Sequence, residues 1–259
     1  MQILAGCRAD VSAWGLLAAQ TLAIVFAVAP LLFAQDTLPS LIKQVQPSIV
    51  SILTYTEDGK PYAQGSGFAA YTNGLWVTNR HVMQGAYKAT VKFADGEETE
   101  VAAVRASEND AVDLVGMELV GTRVRNALSL SSHMPEAGDR VVVIGSPLGL
   151  DQSVSDGIVS AIRLSDDGLR QIQITAPISH GSSGSPVLNL RGEVLGVATS
   201  MLRNGQNLNF AIPSENIPPL QTGKRYLLPE YSDRYVNGLI QQATQEFAQH
   251  WRKVAARDI

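Results

Sequence analysis

The chain has 259 residues, 45% of them hydrophobic and 17% charged, with a formal net charge of -4. A chain of this length and composition buries a sizeable core, which excludes disorder as its dominant state, and the lack of a long basic run argues against nucleic acid as a partner. Cys7 is the single cysteine, so no intrachain disulfide forms, and one cysteine with four histidines excludes a cysteine-rich zinc site.

Residues 14 to 34 form an apolar run broken only by Gln20, Thr21 and Pro30, with the polar pair Gln35-Asp36 directly after it. Two readings stand. The run is a signal peptide cleaved after Ala34, or a retained anchor, since a helix of that length at about 1.5 Å per residue spans a bilayer core of about 30 Å. Either one exports the rest of the chain, and membrane contact is expected only if residues 14–34 remain.

Beyond residue 47 the sequence becomes a series of short runs rich in Val, Ile and Thr: 48–54, 75–78, 88–93, 100–105, 140–144, 158–163, 170–175, 193–199 and 208–212. Such runs read as strands. Asp58-Gly59, Asn73-Gly74, Asp95-Gly96, Asp167-Gly168 and Arg191-Gly192 separate them as turns. The pattern predicts an all-β protein of barrels or a sandwich rather than alternating βα units. A stretch of weaker strand character, Ser131 to Gly138 with Pro135, divides the body. The expected organisation is 1–34 as leader or anchor, 35–130 as a first barrel, 131–214 as linker and second barrel, and 215–259 as a carboxy-terminal extension. In that extension Val236, Ile240, Ala243, Phe247, Trp251 and Val254 recur at helical spacing. A helix packed back onto the second barrel is the expectation, with a partner-binding face as the alternative.

Three segments carry chemistry. His180-Gly181-Ser182-Ser183-Gly184-Ser185-Pro186 allows a tight loop that projects one hydroxyl beside convergent backbone N–H groups, the arrangement acyl transfer needs. Gly65-Ser66-Gly67-Phe68 leads to Leu75-Trp76-Val77-Thr78-Asn79-Arg80-His81-Val82, which puts an imidazole at the end of an apolar strand. Asn109-Asp110-Ala111-Val112-Asp113-Leu114-Val115 offers a carboxylate to orient that ring, with Asp113 preferred over Asp110. Each alone has an ordinary reading, as a Gly-Ser turn, a buried histidine or a turn carboxylate.

The order His81, Asp113, Ser183 is that of chymotrypsin-type serine peptidases, not of subtilisin or the α/β-hydrolases. With GSGF at 65–68, TNRHV at 78–82, DLV at 113–115, IGSPLGL at 144–150 and GSSGSPVLNLRGEVLGV at 181–197, the chain resembles the peptidase domain of the HtrA (DegP/DegQ-like) family. DGIVSAIR at 156–163 and NFAIPS at 209–214 extend the match over residues 40 to 214. The resemblance implies an all-β, chymotrypsin-like double β-barrel, two six-stranded antiparallel barrels, with a carboxy-terminal helix. It implies a serine endopeptidase in which Ser183 attacks, His81 moves the proton and Asp113 orients His81. The oxyanion loop would be Gly181, Ser182 and Ser183, with Gly181 and Ser183 donating and Ser182 shaping the turn. Ile178, Ala198, Thr199, Ser200, Met201 and Leu202 would bind substrate in a pocket without a carboxylate, favouring small to medium aliphatic side chains. The implied substrates are extended or misfolded exported polypeptides, in the periplasm or outside the cell, with no metal or organic cofactor. A homotrimer or a regulatory partner is the implied assembly, and a catalytically silent, chaperone-like peptide binder is the alternative function.

The chain departs from the family in two respects. Ser182 and Ser185 stand where the family has Asn and Gly. Residues 215–259 are too few for a PDZ domain, which is expected to be absent or supplied by another chain.

Overall fold

Alternation builds the first barrel. In β1 (Ile49–Tyr55) Val50, Ile52 and Thr54 are buried while Leu53 is exposed, the period of a strand with one face on a core. The computed structural model describes residues 38–109, 111–121, 126–145, 153–165, 168–179, 181–199 and 209–255, with side chains through 249. Helix α1 (Leu38–Val45) and a 3-10 turn at Gln46–Ser48 precede β1. There follow β2 (Pro61–Ala69), β3 (Leu75–Thr78), the one-turn helix α2 (Arg80–Met83), β4 (Lys88–Lys92), β5 (Glu98–Ala106) and β6 (Val115–Leu119). These six strands run β5-β4-β1-β2-β3-β6, and pairing of β5 with β6 closes them into an antiparallel barrel.

The second barrel takes β7 (Arg140–Gly145), β8 (Ser153–Leu164), β9 (Arg170–Ile174), β10 (Pro186–Leu188), β11 (Val194–Thr199) and β12 (Asn209–Pro213) in the closed order β10-β11-β12-β9-β8-β7. A short strand β13 (Lys224–Tyr226) returns to the first barrel, antiparallel to β5. The double-barrel fold is therefore as expected. Strands β2, β6, β10 and β13 are additions to the runs read from the sequence.

An apolar seam joins the barrels. Ile49, Phe68, Leu75 and Val77 of the first share one cluster with Val142, Ile144, Leu188, Val197 and Ile212 of the second, and Leu41 and Val45 of α1 cap it. Burying each such side chain contributes about 1.5–3 kcal/mol, so the relative placement of the barrels is held as firmly as either interior.

The carboxy-terminal helix corrects an expectation. Helix α3 (Leu228–Ala255) docks on the first barrel, not the second. Leu228 and Tyr231 pack into the cluster of Val50, Trp76, Val104 and Val115, Ser232 donates to Ala86 O, and Tyr87 donates to Asp233 at 2.7 Å. Beyond the first two turns the helix leaves the barrel surface, and Val236, Leu239, Ile240 and Phe247 are exposed. The side chains of Trp251 and Val254 lie outside the described residues. Helical period identifies an apolar stripe but not what it faces, and here the docking contacts come from Leu228 and Tyr231, which precede the expected stripe.

Glu118 ties three strands of the first barrel together. Arg105 of β5 donates to one of its carboxylate oxygens at 2.6 Å and Arg225 of β13 to the other at 2.8 Å. Burial works to raise the Glu118 carboxyl, but the hydrogen bonds and charges of Arg225 and Arg105 outweigh it and hold the group below its ordinary 4.5. A lowered folded-state value means the stabilisation is complete above the ordinary value and is lost as pH falls through the folded one. Glu118→Gln is expected to cost about 1 kcal/mol at neutral pH, a pair-scale effect for partly exposed groups. Denaturant unfolding of both proteins across pH checks this: the difference should be constant at neutral pH and shrink below 4.5.

Candidate active site

His81 stands where strand order changes into a turn. All four residues of β3 are buried, and the chain then enters α2 with His81 as its second residue, its side chain 41% exposed. Asp113 precedes β6, the neighbour of β3, so sheet pairing brings the two segments together. The backbone N–H of His81 donates to Asp113 Oδ1 at 2.9 Å, and His81 Nδ1 lies 2.7 Å from Asp113 Oδ2. A carboxylate only accepts, so Nδ1 is the donor in this contact and Nε2 is the ring nitrogen that it leaves uncommitted. The main chain reinforces the arrangement, since Asp113 O accepts from Arg80 N at 3.2 Å and from Asn79 Nδ2 at 2.9 Å.

A third contact to the carboxylate crosses the seam. Thr199, the last residue of β11, donates from Oγ1 to Asp113 Oδ2 at 3.3 Å. Sequence reasoning placed Thr199 with the substrate, and one threonine ending an apolar run carries no signal of a partner 86 positions away. Asp110, the alternative orienter, lies outside the described residues.

Ser183 sits in a turn at the start of β10 and is 5% exposed. Ser182 N donates to Ser179 O at 2.9 Å, Ser185 N to Ser182 O at 3.0 Å and Gly184 N to Ala198 O at 2.9 Å. Gly181 and Gly184 have φ of +94° and +87°, the left-handed region that favours glycine. At Gly184 the need is also steric, because a Cβ there would lie 2.0 Å from Ser66 O and 2.4 Å from Thr78 Oγ1. The serine turn thus rests directly on the strands that lead to His81. The same closeness appears at Gly65, where a Cβ would meet Val82 at 2.8 Å and Ser183 O at 3.1 Å.

The N–H of Ser182 is taken by Ser179, and its Oγ accepts from Ser179 N at 3.3 Å. Both contacts stay within the turn. Ser185 is fully buried, its Oγ without a hydrogen-bond partner among the described residues and packed so tightly on Gly145 that a Cβ there would lie 2.2 Å away. Of the expected substrate residues, Ile178 is half-buried against the interior of the second barrel. Ala198 is fully buried, with its N–H on Ser185 O at 2.8 Å and its carbonyl on Gly184 N. Its backbone is therefore committed to the serine turn, which leaves any strand-like pairing with a peptide to positions beyond it. Ser200, Met201 and Leu202 lie outside the described residues.

The profile of the trypsin-like peptidase domain matches residues 65–197. Serine protease HTR4 of Rattus norvegicus is 32% identical over 211 residues, covering 77% of this chain and 41% of that protein. Serine protease HTRA1 of Xenopus laevis is 31% identical over 197 residues, covering 71% and 42%. The chain thus spans about two fifths of the length of these relatives. Among solved structures, the HtrA-type protease AlgW with a tripeptide is similar at 28% identity and a TM-score of 0.60, over 68% of this chain and 59% of that one. The serine endoprotease from Yersinia pestis, at 24% identity, shares the fold with a TM-score of 0.59 over 70% of this chain and 64% of that one. Matching profile, double barrel and relatives agree: the chain belongs to the trypsin-like peptidase domain family, among serine proteases of the HtrA type.

Proposed function

We propose that the chain is a serine endopeptidase with Ser183 as nucleophile, His81 as general base and acid, and Asp113 as the group that orients His81. The observation that carries this reading is the two-point hold of Asp113 on His81, through the backbone N–H at 2.9 Å and Nδ1 at 2.7 Å. Ser183 Oγ attacks the carbonyl carbon of a peptide bond and its proton passes to His81 Nε2. Asp113 stabilises the resulting imidazolium without taking its proton. The negative charge on the carbonyl oxygen faces the N–H groups of Gly181 and Ser183, each such donor being worth about 3 kcal/mol in the transition state. His81 then protonates the leaving amine, and water releases the acyl group by the same steps in reverse.

The substrate is an extended polypeptide in this reading, in keeping with a strand-edge mode of peptide binding beyond Ala198. The family resemblance assigns Ile178, Met201 and Leu202 to the primary pocket, and an aliphatic lining of that kind would favour Val, Ala, Leu, Ile or Met before the cleaved bond. The apolar run at 14–34 supports action on exported, unfolded proteins in the periplasm or outside the cell. One observation favours the alternative of a silent peptide-binding relative: the buried Ser185 hydroxyl, a polar burden next to the nucleophile turn.

A fluorophosphonate probe separates the two. Labelling is expected in the unmodified protein and in Ser182→Ala, and none in Ser183→Ala; a protein inert to the probe at every pH tested is a binder instead. Peptide libraries test the pocket. Cleavage after aliphatic residues should exceed cleavage after Lys or Arg by 10-fold or more, while discrimination among aliphatic residues stays at the ~1–3 kcal/mol that a methylene supplies. A preference for Lys or Arg overturns the pocket assignment.

A further inference from the structure

Between the histidine segment and the serine turn lies a single residue of β2, Ser66, which is fully buried and bonded in both directions. Its N–H donates to Ser183 O at 2.8 Å. Its hydroxyl donates to Gly181 O at 2.8 Å across 115 positions of sequence. Its carbonyl accepts from Thr78 Oγ1 at 2.7 Å, and Thr78 closes the strand that delivers His81. From these contacts we infer that Ser66 is a positioning residue for the oxyanion donors, acting through its hydroxyl on the Gly181 carbonyl; the inference rests on the peptidase reading above.

The plane between Gly181 and Ser182 is held at its N–H end by Ser179 O at 2.9 Å and at its carbonyl end by Ser66 Oγ. The plane between Ser183 and Gly184 is held by Ala198 O at its N–H and by Ser66 N at its carbonyl. The Ser183 N–H lies in the plane between these two, whose carbonyl accepts from Ser185 N at 3.0 Å, and the Gly181 N–H lies in the plane directly before the first. With the neighbouring planes tied to Ser66, both donors have less room to turn before charge develops, which is what preorganised stabilisation requires. Gly181 needs this hold more than an ordinary residue, because at a φ of +94° without a side chain it has wide freedom to rotate.

Substituting Ser66 by Ala leaves both backbone contacts in place and removes the hydroxyl's bond to Gly181 O. The expected result is a kcat about 10-fold lower with KM within about twofold, the signature of an interaction that matters in the transition state alone. A peptide boronate, which forms a tetrahedral adduct on Ser183, should lose affinity in the same proportion as kcat/KM. An uncleaved peptide product should bind as before. Ser66→Cys, which fills the same space with a weaker donor, is made alongside and should fall between the two; it carries the comparison if the alanine variant does not fold. Equal kcat and equal boronate affinity in a folded variant overturn the role of Ser66 and leave the peptidase reading standing. A parent protein that neither cleaves peptides nor captures the boronate overturns the peptidase reading, and the role of Ser66 with it.

Discussion

One carboxylate holds the candidate site together across the division of the molecule. Asp113 belongs to the first barrel and grips His81 twice, while Thr199 of the second barrel reaches over the seam to the same oxygen. An acceptor in that position serves both barrels, so any slip between them disturbs the imidazole directly. The apolar seam resists the slip. Phe68, Ile49, Ile144, Leu188 and Val197 interlock there, and interiors of this kind are packed too densely to yield by small amounts.

The serine turn depends on the same closeness seen from the other side. Gly65, Gly67 and Gly184 occur where backbones approach too near for a side chain. A Cβ on Gly67 would meet Met117 and Val77 O at 2.9 Å, much as one on Gly184 would strike Ser66. These glycines are steric necessities, and in β2 they trade strand propensity for close packing, which at Gly65 includes the serine turn.

That trade explains what was and was not legible beforehand. Strands such as Arg140–Gly145 and Val194–Thr199 announce themselves through Val and Ile, whereas β2, with Pro61, Gln64, Gly65 and Gly67, owes its conformation to its register against β1. Strands β10 and β13 have three residues each, too few for any period to show. His81, Asp113 and Ser183 could be singled out as candidates because their motifs are local. The Thr199 and Ser66 contacts could not, since a threonine in an apolar run and a serine between glycines acquire their partners only when distant segments meet. The destination of α3 was hidden for a related reason: the side chains that dock it, Leu228 and Tyr231, stand apart from the stripe that catches the eye.

The Ser185 hydroxyl marks a reserve of thermal robustness left unused. A buried hydroxyl without a hydrogen-bond partner among the described residues costs about 1–3 kcal/mol, and replacing that OH by hydrogen, as alanine does, lifts the burden while leaving the backbone of the turn unchanged. For an engineer seeking a heat-hardy form of this fold, the first alteration lies two positions from Ser183, at Ser185→Ala.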